Sequence, residues 1–424
     1  MPLDYFILDM KIFKFGGAAI KNATRIINVA NILKSEGYND TVLVISAMGK
    51  MTNAFEDVVE SYIKKEAVLA QKIAFVREYH FNIIKELFEE NHEVNTTIDL
   101  IFLNLSSFFT TNKNLKYDYV YDQIVSFAEI LSTTIISAYF KQIGIENTLL
   151  DARKLIVTNT NYRNAKVNWE KTYLNINNTI SDKQLYITQG FIAGASATKT
   201  TTLGREGSDY SAAIIAHCLN AKSLSIWKDV PGVLNADPRY FESTTLLNQI
   251  SYSEALEMAF YGASVIHPKT IKPLENKNIP LHVRSFIDLD EVGTVIKKGA
   301  DISPKIPCYT RKENQILLSL SAKDFSFMIE HNISHIFQLF AQYKVTVNLI
   351  QNSAISFSVC IEDSYNQFDA LHQELMRLYK VVYHKKVSLL TIRHFTKKSV
   401  TTVAENNKIL LTQQTLDAVQ FVMR

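Results

Sequence analysis

Two glycine-bearing turns in this sequence place cations beside backbone amides. In residues 11–17, KIFKFGG, Lys14 stands among apolar neighbours just before Gly16 and Gly17. In residues 203–209, LGREGSD, Arg205 lies within the loop, and Ser208 and Asp209 stand where a helix begins. A glycine loop opening a helix leaves N–H groups unpaired at the positive end of the helix dipole, which suits an anion such as phosphate. A point cation beside such amides is what a transferring phosphoryl group requires. The plainer account of Lys14 is an exposed lysine at a strand edge, and of the second loop an ordinary strand–helix–strand unit. That account does not call for the charges crowded at the loop ends. No GxxxxGK[ST] motif occurs, which argues against a P-loop nucleoside triphosphatase. Glu129 is a further candidate, set in VSFAEILSTTII. It is either a solvent-facing helix residue or a buried carboxylate needing a cationic partner, and the pattern leaves both open.

The elements that must position these residues follow from periodicity. Residues 11–17 read as a buried strand, 22–35 as a helix ended by Gly37, and 41–46, TVLVIS, as a strand covered on both faces. Strand, helix and strand imply a right-handed crossover. The loop 46–53, SAMGKMTN, leaves at the strand's carboxyl end. A mainly helical block spans 54–142, with amphipathic stretches at 55–91 and 96–109 and a helix at 120–140 carrying Glu129. A strand at 146–151 and a loop region at 153–170 come next. The helix after Gly207 is expected to be capped by Ser208 or Asp209 and to bury Ala212, Ile215, Ala216 and Leu219. An apolar strand at 223–227 leads to Lys228 and Asp229, at the end where open α/β sheets place ligands. Pro231 and Gly232 force a turn. A helix at 253–261 stopped by Gly262 and a strand at 280–284 follow, and residues 293–296 end this part. His267, before Pro268, reads as a turn or packing residue.

Pro304 and Pro307 mark a linker. Beyond it the order is strand 315–320, helix 334–343, strands 345–350 and 355–361, helix 367–379 and strand 380–383. That is a ferredoxin-like β-α-β-β-α-β pattern. Residues 388–395, 408–412 and 419–423 read as further strands with little helix. His331 and His335 share a helical spacing but have no third ligand nearby, so a metal role is not expected.

The 424 residues suggest two or three domains. With 47% hydrophobic and 21% charged residues and a net charge of +3, nothing in the balance demands nucleic acid as partner. Cys218, Cys308 and Cys360 are far apart and form no CxxC pair, which fits a reducing compartment. The N-terminus lacks a basic start and a long apolar run, so no signal peptide is expected, and Met10 is an alternative start. No 18 apolar residues run together, so neither a membrane span nor a membrane partner is expected, and the expected location is the cytoplasm.

Three segments, TTLGREGSDYSAA, IWKDVPGVLNADPR and FYGASVIHPKTI, resemble the signature segments of aspartokinases, within the amino acid kinase family. The resemblance is strong over about residues 11–300 and looser beyond. It implies an open, mostly parallel sheet sandwiched by helices, followed by an α+β ferredoxin-like region of the ACT type. A catalytic domain at 10–300, with its helical insert at about 54–142, would precede a regulatory region at 313–424. The latter would hold one full ACT unit at about 313–385 and a reduced second unit at about 386–424. The implied reaction is phosphoryl transfer from MgATP to the side-chain carboxylate of L-aspartate, giving 4-phospho-L-aspartate, the first step of lysine, threonine and methionine biosynthesis.

By the same resemblance, Lys14 contacts the transferred phosphate with the Gly16 and Gly17 amides. Arg205 takes the substrate α-carboxylate, Glu129 its amino group, and Thr52, in a loop that begins at Ser46, helps hold it. Ser208 and Asp209 lie near the phosphates, Asp209 organising lysine or magnesium. Lys228, Asp229, Leu234, Arg239, Ser264 and Val265 match nucleotide-binding positions. No protein-held metal site is expected, the magnesium being carried by ATP. Several residues depart from the family pattern. Ala18 and Ala19 replace hydroxyl residues, Lys228 a threonine, Leu234 a tyrosine, and Ser264 a phosphate-contacting lysine that Lys269 is placed to replace. Alternatives within the resemblance are a kinase for glutamate, acetylglutamate or carbamate, and a catalytically silent amino-acid sensor. The ACT region implies a homodimer or larger homo-oligomer and an amino-acid effector. Asn348, in the segment VNLI where lysine-inhibited members carry an acidic residue, implies weak or absent lysine inhibition. The chain stops at Arg424 without a homoserine dehydrogenase domain, so a monofunctional enzyme is expected.

Overall fold

The computed structural model describes residues 9–196, 198–263, 266–324 and 326–424. Two compact units divide the chain. The first holds residues 9–233, 246–256 and 266–302, and the second 234–245, 257–263 and 303–424. Two short stretches ahead of residue 300 therefore belong with the C-terminal unit, where a single boundary was expected.

The first unit begins β1 (Lys11–Phe15), α1 (Ala23–Glu36) and β2 (Thr41–Ile45). Asn22 caps α1, its side chain accepting the Arg25 N–H at 3.0 Å, and Gly37 ends it at φ 75°. Four helices follow: α2 (Met51–Lys64), α3 (Leu69–Leu87), α4 (Val94–Thr111) and α5 (Tyr117–Gln142). The expected amphipathic stretch 55–91 is thus broken. Lys65 takes a left-handed φ of 55° and its N–H bonds back to α2 carbonyls. The apolar period continues across the break, which is why periodicity alone did not show it. Helix α5 is long and apolar enough to cross a membrane, but 78% of its most apolar window is buried within the protein. Most of its residues are buried, polar ones included, because it is a core helix. It packs with α2, α3 and α4 against the face of the sheet that carries Phe13, Phe15, Leu43 and Ile45.

The chain continues through β3 (Thr148–Leu150), α6 (Ala152–Leu155), α7 (Trp169–Thr179), β4 (Tyr186–Gln189), β5 (Ile192–Ser196), β6 (Lys199–Thr202), α8 (Gly207–Leu219) and β7 (Ser223–Lys228). Then come β8 (Gln249–Ser251), α9 (Tyr252–Phe260), α10 (Pro268–Lys277), β9 (Leu281–Ser285) and β10 (Thr294–Lys297). The eight-stranded sheet runs β3-β4-β2-β1-β7-β9-β10-β8, and β5 and β6 form a separate hairpin. All its pairs are parallel except β9 with β10. Helices α7 and α10 and the hairpin were not anticipated. Helix α10 hides behind two prolines. Pro268 takes its first turn, where no N–H is needed, while His267 caps it by accepting the Lys269 N–H. The expected capping of α8 by Ser208 or Asp209 is corrected. Glu206, at φ 55°, precedes the first turn without a side-chain cap, because Asp209 lies within that turn and pairs with lysine.

The second unit contains β11 (Cys308–Ala322), α11 (Glu330–Gln342), β12 (Thr346–Asn352), β13 (Ser356–Glu362), α12 (Phe368–Leu378), β14 (Tyr379–Arg393), α13 (Lys397–Asn406), β15 (Ile409–Gln414) and β16 (Ala418–Met423). One antiparallel sheet runs β12-β13-β11-β14-β16-β15. Its first four strands have ferredoxin-like order, with Ile336, Phe340, Leu371 and Leu375 of α11 and α12 packed on one face. Strands β11 and β14 are long and serve both halves of the sheet, since Cys308–Lys312 pairs with Leu389–Arg393. The second half therefore draws a strand from ahead of residue 313. It also has a ten-residue helix, α13, where little helix was expected. Its β-branched sequence, KKSVTTVAEN, hides it. A reciprocal cap between Thr396 and Ser399 starts it.

Candidate active site

The strand register brings the candidate residues to one edge. Phe15 pairs with Ile45 and Trp227, and Ile45 pairs with Gln189. The ends of β1, β2, β4 and β7 are thus level, and their loops leave the sheet side by side. The Ser46 N–H donates to Phe15 O at 3.2 Å, Gly49 N–H to Gly17 O at 3.0 Å, and Gly190 N–H to Ile45 O at 2.8 Å. Gly17 is required by this approach, because a Cβ there would stand 2.6 Å from Gly49 O. Gly190 is required similarly, since its Cβ would meet the Ser208 side chain at 2.6 Å.

One cavity of about 580 Å³ opens at this edge. Lys14, Gly16, Gly17, Ser46, Thr52, Glu129, Arg205, Ser208 and Asp209 all line it. Deep in it Asp209, only 1% exposed, pairs with Lys14 Nζ at 2.6 Å and Lys228 Nζ at 3.7 Å. Burial alone would raise the Asp209 pKa, but the two lysines outweigh it and hold the carboxyl below its ordinary value. The carboxylate is therefore charged at neutral pH and fixes both ammonium groups.

Glu129 is the second buried carboxylate, also 1% exposed. It has no cationic partner, and its Oε2 has no hydrogen-bond partner among the described residues. Burial pushes its pKa up to about 8, with only backbone N–H groups, including that of Ala47, acting the other way. Neighbouring hydroxyls and amides fix the helix turn that carries it. Ser132 Oγ donates to Ser46 O at 2.7 Å, and Gln189 Nε2 donates to Thr133 Oγ1 at 2.8 Å. The Gln189 side chain also accepts the Ala152 N–H at 2.8 Å, so α5 is tied to the ends of β2 and β4.

The loop bearing Arg205 follows β6. The Arg205 side chain makes no ion pair or hydrogen bond among the described residues, which leaves its planar fork available to a carboxylate. Buried Asp122 on α5 anchors the approach to it. Asp122 accepts the Thr202 N–H at 2.9 Å, Thr202 Oγ1 at 2.8 Å and the Arg163 N–H at 3.0 Å. Burial raises its pKa to about 6, opposed by these bonds.

The other expected residues lie elsewhere. Lys228 and exposed Asp229 stand at the end of β7, Lys228 reaching the cavity through Asp209. Leu234 and Arg239 belong to the second unit, where Arg239 forks onto Asp237. Ser264 and Val265 lie outside the described residues. Lys269 lines a second cavity, of about 820 Å³, over the outer face of α8, and its Nζ donates to Asn164 Oδ1 at 2.6 Å. Sequence reasoning missed Asn53, Tyr121, Arg163, Phe191 and Thr202, which also line the first cavity. Asn53 adjoins Thr52 and Thr202 nearly adjoins the glycine loop, so adjacency was their signal. Arg163 sat in a stretch read only as loop and carried none.

The arrangement places amides and two lysines for an anion at one end. At the other, a carboxylate and a guanidinium that are both unpaired among the described residues line the same cavity. The profile of the Amino acid kinase family matches residues 9–285. A bifunctional aspartokinase/homoserine dehydrogenase of Buchnera aphidicola is 30% identical over 409 residues, 90% of this chain and 49% of that protein. Chloroplastic aspartokinase 1 of Arabidopsis thaliana is 29% identical over 369 residues, 83% of this chain and 63% of that protein. The chain thus spans about half the length of the first relative and under two thirds of the second. Escherichia coli aspartokinase III in complex with aspartate and ADP superposes with a TM-score of 0.81 at 25% identity, covering 98% of this chain and 96% of that one. With a profile match over well more than half its length, on a sheet whose level strand ends build this cavity, the chain belongs to the amino acid kinase family.

Proposed function

We propose that this protein transfers the terminal phosphoryl group of ATP to the side-chain carboxylate of L-aspartate, giving 4-phospho-L-aspartate, the entry reaction of lysine, threonine and methionine biosynthesis. The observation that carries this reading is Glu129. A buried carboxylate that has no cation among the described residues, in the same cavity as an arginine likewise unpaired among them and a lysine beside backbone amides, calls for a ligand bearing an ammonium and carboxylates. The likeness to aspartokinases supports aspartate as that ligand.

In this reading Glu129 takes the substrate amino group, Arg205 the α-carboxylate, and Thr52 and Ser46 the adjoining polar contacts. The acceptor carboxylate is already a nucleophile at neutral pH, so no general base is needed. Catalysis is then positioning and charge stabilisation. Lys14 and the Gly16 and Gly17 amides stabilise the moving phosphoryl group. Asp209 holds Lys14 and Lys228 toward the phosphates, and Ser208 opens the helix whose amides face them. Magnesium, when bound, offsets phosphate charge. Among the described residues no three His, Cys, Asp or Glu side chains converge, and Asp209 is already balanced by two lysines. That donor set fits an ion carried in by the nucleotide. The second unit is proposed as an ACT-type regulatory region that pairs with a second copy of the chain.

The test is ATP-dependent acyl-phosphate formation, trapped with hydroxylamine, with L-aspartate set against L-glutamate and N-acetylglutamate. Aspartate-dependent product in the native protein, lost in Lys14→Ala, is expected. Product with another acceptor instead reassigns the substrate. Absence of product with all three, in a folded protein that binds amino acids, points to a sensor.

A further inference from the structure

Arg163 is held in a backbone conformation that costs energy, and its side chain lines the cavity. Its φ is 63°, the left-handed region that a bulky residue avoids. Two observations show the conformation is enforced. Both Asp122 carboxylate oxygens accept the Arg163 N–H, at 3.2 and 3.0 Å. Just beyond it, Ala165 N–H donates to Thr202 O at 3.0 Å and Lys269 Nζ to Asn164 Oδ1 at 2.6 Å. The loop is therefore fixed to α5, to β6 and to α10, and it presents one cation. Strain kept in place by surrounding bonds is a mark of a functional position.

The guanidinium spans the mouth of the amino-acid end. It lies over the Tyr121 ring at 4.5 Å and the Tyr117 ring at 5.3 Å, both on α5 ahead of Glu129. It also approaches Glu56, one turn beyond Thr52 on α2, at 3.7 Å, and Asp118 on α5 at 3.6 Å. These pairs are loose and exposed, and such pairs contribute little. The backbone of Arg163 also adjoins the Arg205 loop, its carbonyl lying 3.0 Å from the position a Gly204 Cβ would take. Arg163 and Arg205 thus stand on adjoining loops, and both line the cavity.

We infer that Arg163 is a further substrate-binding residue, which leaves Glu56 and Asp118 to join Arg205 on the carboxylate of the incoming amino acid. The inference rests on the reading of the cavity given above. The stacked tyrosines hold the guanidinium plane, so turning to the substrate requires a shift of the charged tip, not of the loop. Glu56 and Asp118 then act as competitors that hold the mouth cation in the absence of substrate.

Steady-state kinetics of the full chain with L-aspartate and ATP test this. Arg163→Gly suits the positive φ, so it removes the guanidinium without adding backbone strain. It should raise KM for aspartate about tenfold, the usual worth of one charge-assisted contact, and leave KM for ATP within about twofold. Arg163→Lys should fall between. Glu56→Gln should lower KM for aspartate about twofold, and this gain should vanish in the Arg163→Gly background, as coupling between the two requires. An unchanged aspartate KM in Arg163→Gly, in a native protein that phosphorylates aspartate, overturns the inference alone. Equal rises in both KM values with a lowered melting temperature also overturn it, since they mark a purely structural loop. A native protein inactive toward aspartate overturns the functional reading and this inference with it.

Discussion

Glu129 keeps a carboxyl group where solvation is poor and, among the described residues, no cation sits. Its pKa of about 8, against an ordinary 4.5, means the folded protein holds the proton more tightly than the unfolded chain does. The sign of the linkage follows. Below about pH 4.5 both states carry the protonated, neutral group and there is no penalty; as pH rises toward 8 the unfolded chain releases the proton first, and native stability falls. Removing the charge should therefore stabilise the protein when no substrate is bound. Glu129→Gln is expected to melt higher than the native protein at pH 8.5, with the difference shrinking toward pH 5, by calorimetry. It should lose aspartate binding at every pH. In the native protein kcat/KM for aspartate should rise with pH through about 8, since the free enzyme must lose this proton to receive an ammonium group. A flat profile, or a variant no more stable at pH 8.5, would remove Glu129 from the amino-group role. The sequence left this residue undecided for a physical reason. A glutamate on an apolar helix has the same pattern whether it faces solvent or a polar cavity, and only the loops around β2 and β4 determine which.

At the scale of elements, the parallel sheet was legible because its central strands are mostly apolar runs of strand length. Residues 11–17 and 41–46 could hardly be anything else. The ferredoxin-like order was legible from the alternation of strand and helix periods. What escaped was short or polar: α7 and α10, the β5–β6 hairpin, and α13. The strand irregularities escaped too, and one bears on regulation. Register shifts in β11 and β12 bring Lys312, Gln315 and Asn348 together. Lys312 Nζ donates to Asn348 Oδ1 at 2.8 Å, and Asn348 Nδ2 donates to Gln315 Oε1 at 2.7 Å. Burial lowers the pKa of Lys312, with the charge of Glu362 opposing. Where the resemblance called for an acidic residue to catch a cationic effector, this protein has an amide already occupied by its own ammonium group. A second ammonium would meet like charge in a partly buried setting. Activity is therefore expected to be indifferent to millimolar L-lysine in the acyl-phosphate assay. Inhibition at micromolar lysine would show that the effector is caught elsewhere.

At the scale of the whole molecule, the two units are not consecutive in sequence. The second recruits 234–245 and 257–263 from inside the first unit's span. Its hold on 234–245 is specific. Asn235 Nδ2 donates to Pro307 O at 3.0 Å, Tyr309 N–H donates to Asn235 O at 2.6 Å, and the Phe241 ring lies 5.0 Å from that of Tyr309. Residues 257–263 are held as well, Arg393 pairing with Glu257 at 3.3 Å. A cut at the apparent domain boundary would leave both stretches without these partners, exposing Phe241 and orphaning backbone groups. This matters because 234–245 follows β7, after the turn at 229–233, and Lys228 at the end of β7 pairs with the buried Asp209. A fragment ending at residue 302 should therefore bind a hydrophobic dye, aggregate at micromolar concentration, and melt below the full chain. Restoring a separately expressed 303–424 segment should reverse part of this if that segment folds. A soluble, dye-silent fragment with the full chain's melting temperature and aspartate kinetics would refute the dependence. In that case the second unit would be an appendage of the catalytic one, and its recruited stretches would order themselves without it.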